Sequence, residues 1–409
     1  MGKGRRLIRV LLPAALLGFV AASAWSLRLG YAELTVRRGT VPSIEKAIGM
    51  VPQADYYARL ALLQSGVDDA GALRSLEHAV ALNPSEGDLW IDLGLRYEAA
   101  GDLTRAEHCL LRAADEDRLY LPRWTLANYY FRRGDLTKFW TWARASAAMA
   151  PADALPLFRL CGQAAEDGRL MERLKIARPD LQASYLGYLM SLNRNDLIAL
   201  PAAGLLETAR ESDVPILVAA CDRLLEARQA PEAVRIWKGL VDSRKIPVSR
   251  GEPNGGSILT NGDFTTQPVS HGVDWRLTNL DGVSVASEES GGIRFTFSGR
   301  EPEQCEPLMQ LAPVAAGTDY EMQVRYRTSA IPAGTGLRWR IAGMDGAVLA
   351  QSNSLSSETE GAERVSFRTP PGCSLIRVSL SYERAPGTTR IEGFLVLENV
   401  GLAEKRRRS

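Results

Sequence analysis

The chain has 409 residues, 49 Lys and Arg against 48 Asp and Glu, a net charge of +1 and 45% hydrophobic residues. That length exceeds what one hydrophobic core fills and points to several domains. The hydrophobic content excludes a disordered chain, and the near-zero charge excludes a general affinity for nucleic acid. Five cysteines without a C-x-x-C spacing and three scattered histidines (His78, His108, His271) exclude a zinc site of ordinary spacing.

The first 32 residues contain Lys3, Arg5, Arg6, Arg9 and Arg28 and no acid. Val10 to Leu27 is uncharged, and as a helix rising about 1.5 Å per residue it nearly spans a ~30 Å hydrocarbon layer. Residues 7–28 are therefore expected to form a transmembrane helix behind a cytoplasmic basic segment at 1–6. The small-residue triplet Ala22-Ser23-Ala24 keeps a cleaved signal peptide open as the alternative. Either way the rest of the chain is expected outside the cytoplasm, which makes a single-pass inner-membrane protein with its bulk in the periplasm.

Residues 29–247 show the periodicity of paired helices. Trp90, Leu93, Gly94 and Tyr97 make W-x2-L-G-x2-Y, followed by Ala106, Leu110 and Ala113. Trp90 recurs 34 residues later as Trp124, and Gly101-Asp102 recurs as Gly134-Asp135. This pattern resembles the tetratricopeptide repeat, in about five or six units. Gly94 is expected where the two helices of a unit cross closely, Trp90 and Tyr97 where they fill the gap between helices, and Pro84 where a helix ends. The resemblance implies a groove that docks a protein partner; a rigid spacer is the competing reading. Tyr120, Tyr129, Tyr130 and Trp142 either line that groove or belong to the core. Cys109, Cys161 and Cys221 are expected as small buried residues of the helices.

A Gly-, Pro- and Ser-rich stretch at 248–256 reads as a linker. Beyond it, residues 257–403 break into short alternating runs separated by turn residues, the pattern of a two-sheet sandwich, and a basic tail closes the chain at 404–409. Side-chain parity turns Leu337, Trp339 and Ile341 inward, with Tyr320, Met322, Val324 and Tyr326, and with Ile376, Val378, Leu380 and Tyr382. Cys305 and Cys373 are expected to pair as a disulfide in an oxidising compartment.

Asn261-Gly262-Asp263-Phe264, then Asp274-Trp275, and finally Glu398-Asn399-Val400-Gly401-Leu402 resemble the opening and closing elements of jelly-roll carbohydrate-binding modules. The resemblance implies contact with a glycan and a structural calcium ion, for which Asp263 is the candidate ligand; Thr265 stands where the family usually has Glu, which counts against the ion, and capping a turn after Gly262 is the alternative role of Asp263. Trp275 is the candidate aromatic for a sugar contact, with a plug at the end of the sandwich as the alternative. On the polar faces of the strands Arg325, Arg327, Arg338, Arg340 and Arg377 are candidates for binding the carboxylates of an acidic polysaccharide; ordinary solvated strand residues are the alternative.

No nucleophile, zinc-protease, phosphate-loop or dinucleotide motif is present, and no catalytic residue is expected. Asp68-Asp69 and Glu288-Glu289 read as solvated acids. The expected fold is therefore multidomain: an all-α tetratricopeptide-like solenoid followed by an all-β jelly-roll sandwich, behind a transmembrane helix. The expected role is a non-enzymatic, membrane-anchored scaffold of the bacterial envelope, docking a protein partner and contacting a glycan in exopolysaccharide assembly or export. A purely structural protein-contact role and a degenerate glycan-processing enzyme are the alternatives.

Overall fold

The computed structural model describes residues 3–164, 169–247, 256–289, 291–356 and 360–405, with the side chains of 3–15, 17 and 360 outside the description. Most of the expected linker and the end of the basic tail lie outside the described residues. The chain divides into two compact units, residues 1–176 and 177–409, so the expected solenoid of 29–247 spans both.

The first unit is helical: α1 (Lys3–Val36), α2 (Val41–Met50), α3 (Ala54–Gln64), α4 (Asp69–Leu82), α5 (Gly87–Ala99), α6 (Leu103–Glu116), α7 (Tyr120–Arg132), α8 (Leu136–Met149), α9 (Leu155–Ala164) and α10 (Leu170–Leu174). The repeated Gly-Asp pair explains its regular turns. Gly101 and Gly134 take φ of +83° and +71°, the left-handed geometry that ends a helix most easily at glycine. The next residue then caps the following helix: Asp102 accepts from the Arg105 amide at 3.0 Å, and Asp135 from the Lys138 amide at 3.0 Å. Asp68 does the same for α4 through the Gly71 amide at 2.8 Å.

Packing inside the repeats follows the signature residues. A β-carbon built on Gly94 would stand 2.8 Å from the Leu110 side chain, so α5 and α6 meet too closely there for a larger residue. Leu93, Tyr97, Ala106 and Ala113 are buried. Trp90 donates its indole N–H to the Pro84 carbonyl at 2.8 Å, tying its helix to the preceding turn, while Trp124 stacks on Tyr120 with ring centroids 6.0 Å apart. Tyr129 and Tyr130 are core residues.

A second device joins successive repeats. Tyr97 donates to Glu77 on α4 at 2.5 Å, and Arg105 on α6 lies over the Tyr97 ring. One repeat later Tyr130 donates to Glu107 on α6 at 2.7 Å, and Lys138 on α8 binds the same carboxylate at 2.7 Å. Helix α6 thus supplies the cation of one clasp and the carboxylate of the next.

The amino-terminal helix corrects the sequence reading. Among the described residues no helix is long and apolar enough to cross a membrane. This overturns the transmembrane helix expected over 7–28, the membrane as a partner, and the single-pass inner-membrane placement with a periplasmic bulk. The apolar run does not end an independent segment: α1 continues past Arg28 into the solenoid, where Ala32 and Val36 are buried with Ile44, Ala47, Tyr56 and Leu60.

The second unit opens with α11 (Pro179–Ser191), α12 (Ala199–Thr208), α13 (Val214–Glu226) and α14 (Ala230–Asp242) and continues, among the described residues, into ten strands. These are β1 (Arg276–Leu277), β2 (Val283–Ser287), β3 (Ile293–Ser298), β4 (Gln304–Pro313), β5 (Asp319–Ser329), β6 (Leu337–Gly343), β7 (Val348–Gln351), β8 (Glu360–Arg368), β9 (Leu375–Glu383) and β10 (Glu392–Glu404). One antiparallel sheet has the order β1-β4-β9-β6-β7 and the other β2-β3-β10-β5-β8, with the chain crossing repeatedly between them. The inward parity holds, for Trp339, Leu337, Ile341, Met322, Val378, Leu380 and Tyr382 are all buried in one core.

Helix α13 is pinned to the sandwich by one carboxylate. Asp222 accepts from the Gly272 amide, from Arg276 Nη2 and from His271 Nδ1, each at 2.8 Å. Trp237 of α14 lies so close to Gly272 that a β-carbon there would sit 2.2 Å from its ring. The helices ahead of the sandwich are therefore part of its packing.

Candidate functional site

The residues that carry the resemblance in the sandwich turn out to build its end. Gly262 lies against the backbone of Val400, where a β-carbon would be 2.1 Å from the carbonyl oxygen, and the Val400 amide donates to the Gly262 carbonyl at 2.7 Å. Opening and closing elements are thus locked together. Trp275, the candidate sugar platform, is completely buried. Its indole N–H donates to the Asn261 carbonyl at 3.1 Å, and its ring packs between Phe264 and Trp339. The expectation of a sugar contact at Trp275 is corrected: it is a core residue.

At Asp263, the calcium candidate, the carboxylate is engaged within its own turn. Its carboxylate accepts from the amide and the hydroxyl of Thr265, at 3.3 and 3.1 Å, and so closes its own turn. Thr265 adds no charge, and among the described residues no three carboxylate, imidazole or thiol groups converge on one point. Asp274 nearby is buried, accepts from the Val269 amide at 2.8 Å, and has its pKa pushed up to about 6 by that burial.

The disulfide is also corrected, since Cys305 and Cys373 are both free. Cys305 stands opposite Tyr382 at one end of the β4–β9 pairing, whereas Cys373 precedes Leu375 at the other end. Seven residues of strand separate those ends by roughly 23 Å, well beyond the ~7 Å limit between bridged α-carbons. Burial raises the Cys305 thiol to about 11.

The five candidate arginines do not form one patch. Arg325 and Arg327 lie on β5, which pairs with β10 and β8; Arg338 and Arg340 lie on β6 and Arg377 on β9, in the opposite sheet. All point outward, so the two groups are on opposite faces of a sandwich whose sheets are ~10 Å apart. Arg327 is neutralised by Glu398 at 3.4 Å and Glu288 at 3.6 Å. Glu288 also binds Arg294, which holds its pKa below the ordinary carboxylate range. Asp68 and Asp69 are likewise occupied, as acceptors of the Gly71 and Gly66 amides.

Around Arg325 the face opens into a polar groove of ≈ 600 Å³, lined by Glu321, Gln323, Arg325, Asn399, Gly401 and Lys405 among others. Glu321, Gln323 and Arg325 are alternate residues of β5, and Asn399 is the direct antiparallel partner of Arg325. A register shift between Leu397 and Asn399 interrupts β10 just there, the kind of bulge that re-aims a side chain. Gln323 donates to Glu321 at 2.8 Å, while the side chains of Arg325 and Asn399 have no hydrogen-bond or ion-pair partner among the described residues. Sequence reasoning found Arg325 but missed Glu321, Gln323, Asn399 and Gly401. The signal was present in the alternation of D-Y-E-M-Q-V-R, whose polar parity names the outer face as plainly as its apolar parity names the core.

In the solenoid a second groove, of ≈ 310 Å³, is lined by Ala58, Ala61, Leu62, Leu76, Asp92, Leu95, Arg96 and Ala99. Burial, reinforced by Asp88, raises the pKa of Asp92. Leu62 and Leu95 are exposed there, which gives an apolar floor beside one acid and one guanidinium.

No family model matches this chain, and no curated protein matches it. Solved structures share parts of its fold. MamA is 19% identical over 27% of this chain and 66% of its own, with a TM-score of 0.25. A CBM4 carbohydrate-binding module is 12% identical over 36% of this chain and 99% of its own, with a TM-score of 0.29. A β-1,3-glucan-binding CBM6 from Bacillus halodurans is 14% identical over 32% of this chain and 90% of its own, with a TM-score of 0.21. The architecture rests on the registers and packing described above rather than on these likenesses.

Proposed function

We propose that the chain is a non-enzymatic binding protein whose sandwich holds a glycan in the groove of the β5–β10 face, while its helical repeats dock a protein partner. The observation that carries this reading is the pair Arg325 and Asn399, adjacent in register, exposed to the groove and without partners of their own. A guanidinium offers a fork of N–H donors and an amide offers both a donor and an acceptor, the complement that vicinal sugar hydroxyls require. Glu321 and Gln323 extend the row along one strand, and Gly401 leaves the floor low enough for a sugar ring to approach the backbone. The groove lacks the apolar enclosure typical of small-molecule pockets, which favours a chain lying along it over a buried ligand.

The full chain probed on an array of immobilised glycans tests the proposal. The expected result is a saturable signal, competed by free sugar, that falls at least about fivefold in Arg325→Ala and Asn399→Ala, one lost charge-assisted or neutral hydrogen bond each. Undiminished binding in the double variant refutes the groove. Silence on every polymer refutes glycan binding and leaves a protein-contact role for the sandwich. Release of reducing ends by the purified chain refutes the non-enzymatic reading.

A further inference from the structure

The opposite face of the sandwich carries a second feature that the groove does not use. Arg338 and Arg340 are alternate residues of β6 and project from the outer face ~6.6 Å apart. On the neighbouring strand the same face presents Ser381 opposite Arg338, Ser379 opposite Arg340, and Arg377 opposite Ala342. Three guanidinium groups are thus gathered on two adjacent strands. Only one has a counter-ion: Arg377 pairs with Glu306 at 2.5 Å, and Ser379 donates to the same carboxylate at 3.3 Å. Arg338 and Arg340 have no ion pair among the described residues, and the Nε of each is sealed from solvent with no acceptor.

Both facts are unfavourable in the free protein. Two like charges on one strand face repel, and a sealed N–H without an acceptor forfeits about the strength of a hydrogen bond. Glu306 shows how a carboxylate is held on this face, by Nη2 of Arg377 and the Ser379 hydroxyl, with the Nε of Arg377 left sealed as well. We infer that Arg338 and Arg340 form an anion-binding strip that takes successive carboxylates of an acidic glycan, each at the outward Nη groups of one guanidinium. The spacing of the two arginines is set by the strand, so the ligand must repeat its charges along an extended chain. This inference rests on the sandwich being a glycan-binding domain but uses a different face and a different ligand chemistry from the groove.

Affinity electrophoresis of the full chain in gels containing polygalacturonate, or the same polymer with its carboxylates methyl-esterified, tests it. Wild type is expected to be retarded by the acid and released by the ester, with retardation declining steeply as salt rises. Arg338→Ser/Arg340→Ser is expected to lose at least about tenfold in affinity for the acid. Thermal melting of the Ser variant should match or exceed wild type, since an unpaired like-charge contact is removed. Arg338→Lys/Arg340→Lys keeps the charge but not the fork and is expected to fall between. Undiminished retardation of the Ser variant overturns the inference, and so does equal retention of both polymers. Poly-glutamate of matched charge density competing as well as polygalacturonate overturns the assignment to a glycan. Any of these results alongside intact binding in the groove leaves the proposed function standing.

Discussion

The same substitution at two helical glycines should move stability in opposite directions. Gly94 and Gly187 both lie inside helices, α5 and α11, and Gly→Ala there gains about 1 kcal/mol of helix propensity. At Gly187 the new methyl meets nothing within 4 Å, so that gain is realised, and Gly187→Ala should stabilise by about 0.5–1 kcal/mol. At Gly94 the methyl would lie 2.8 Å from both Cγ and a terminal carbon of Leu110 and 3.3 Å from the Ala106 carbonyl oxygen. Leu110 is 1% exposed and cannot swing aside, so α5 and α6 must separate, an overpacking cost of about 1–3 kcal/mol. The net effect of Gly94→Ala is then a loss of up to about 2 kcal/mol. Urea unfolding followed by far-ultraviolet circular dichroism reads both, with the Gly94→Ala midpoint lower and the Gly187→Ala midpoint higher than wild type. Midpoints that shift in the same direction would refute the claim that the signature glycine is there for space.

The clasp between repeats predicts an acid-sensitive solenoid. Hydrogen bonds from Lys138 and Tyr130 hold the Glu107 pKa below its ordinary value of 4.5, so its stabilising contribution is present above about pH 4.5 and is lost as pH falls through the lowered folded value. Glu107→Gln should flatten that part of the pH–stability curve, and an unchanged acid limb counts against the clasp. Tyr130→Phe removes one hydrogen bond to the same carboxylate and should cost about 1 kcal/mol. Asp274 acts with the opposite sign. Burial raises its pKa from 3.8 to about 6, so the folded sandwich binds this proton more tightly than the unfolded chain. Stability from this group is fully present below pH 3.8 and is lost as pH rises through about 6, a change of about 3 kcal/mol for a shift of this size. Asp274→Asn should remove the dependence between about pH 4 and 6; a variant that keeps it places the titration elsewhere. Asp222→Ala strips three donors of their acceptor and should cost about 2–4 kcal/mol of sandwich stability, measured as a fall in the second unit's melting temperature, with no fall if the helices merely lean on the strands.

What could be read from the sequence was whatever repeats at the period of the chain itself. Alternation fixes which side of a strand a residue occupies, so Trp339, Val324 and Leu380 were assignable to the core, and a 34-residue spacing fixed Gly94 at a helix crossing because every repeat needs the same contact. Parity says outward but not toward which solvent face, and that depends on the order of strands in the sheets. Arg325 and Arg338 look alike in sequence and lie on opposite faces because β5 pairs with β10 while β6 pairs with β9. Cys305 and Cys373 failed for the same reason, since the register that separates them is a property of the β4–β9 ladder. Trp275 failed differently: outside any long alternating run, its burial was decided by Asn261, whose carbonyl accepts the indole N–H from a turn fourteen residues away. A buried aromatic needs a partner for its polar atom, and an N-G-D-F turn supplies one. The motif that marks this sandwich is thus a closure device, and the residues free to meet a ligand are those, like Asn399 and Arg340, to which the fold assigns no internal task.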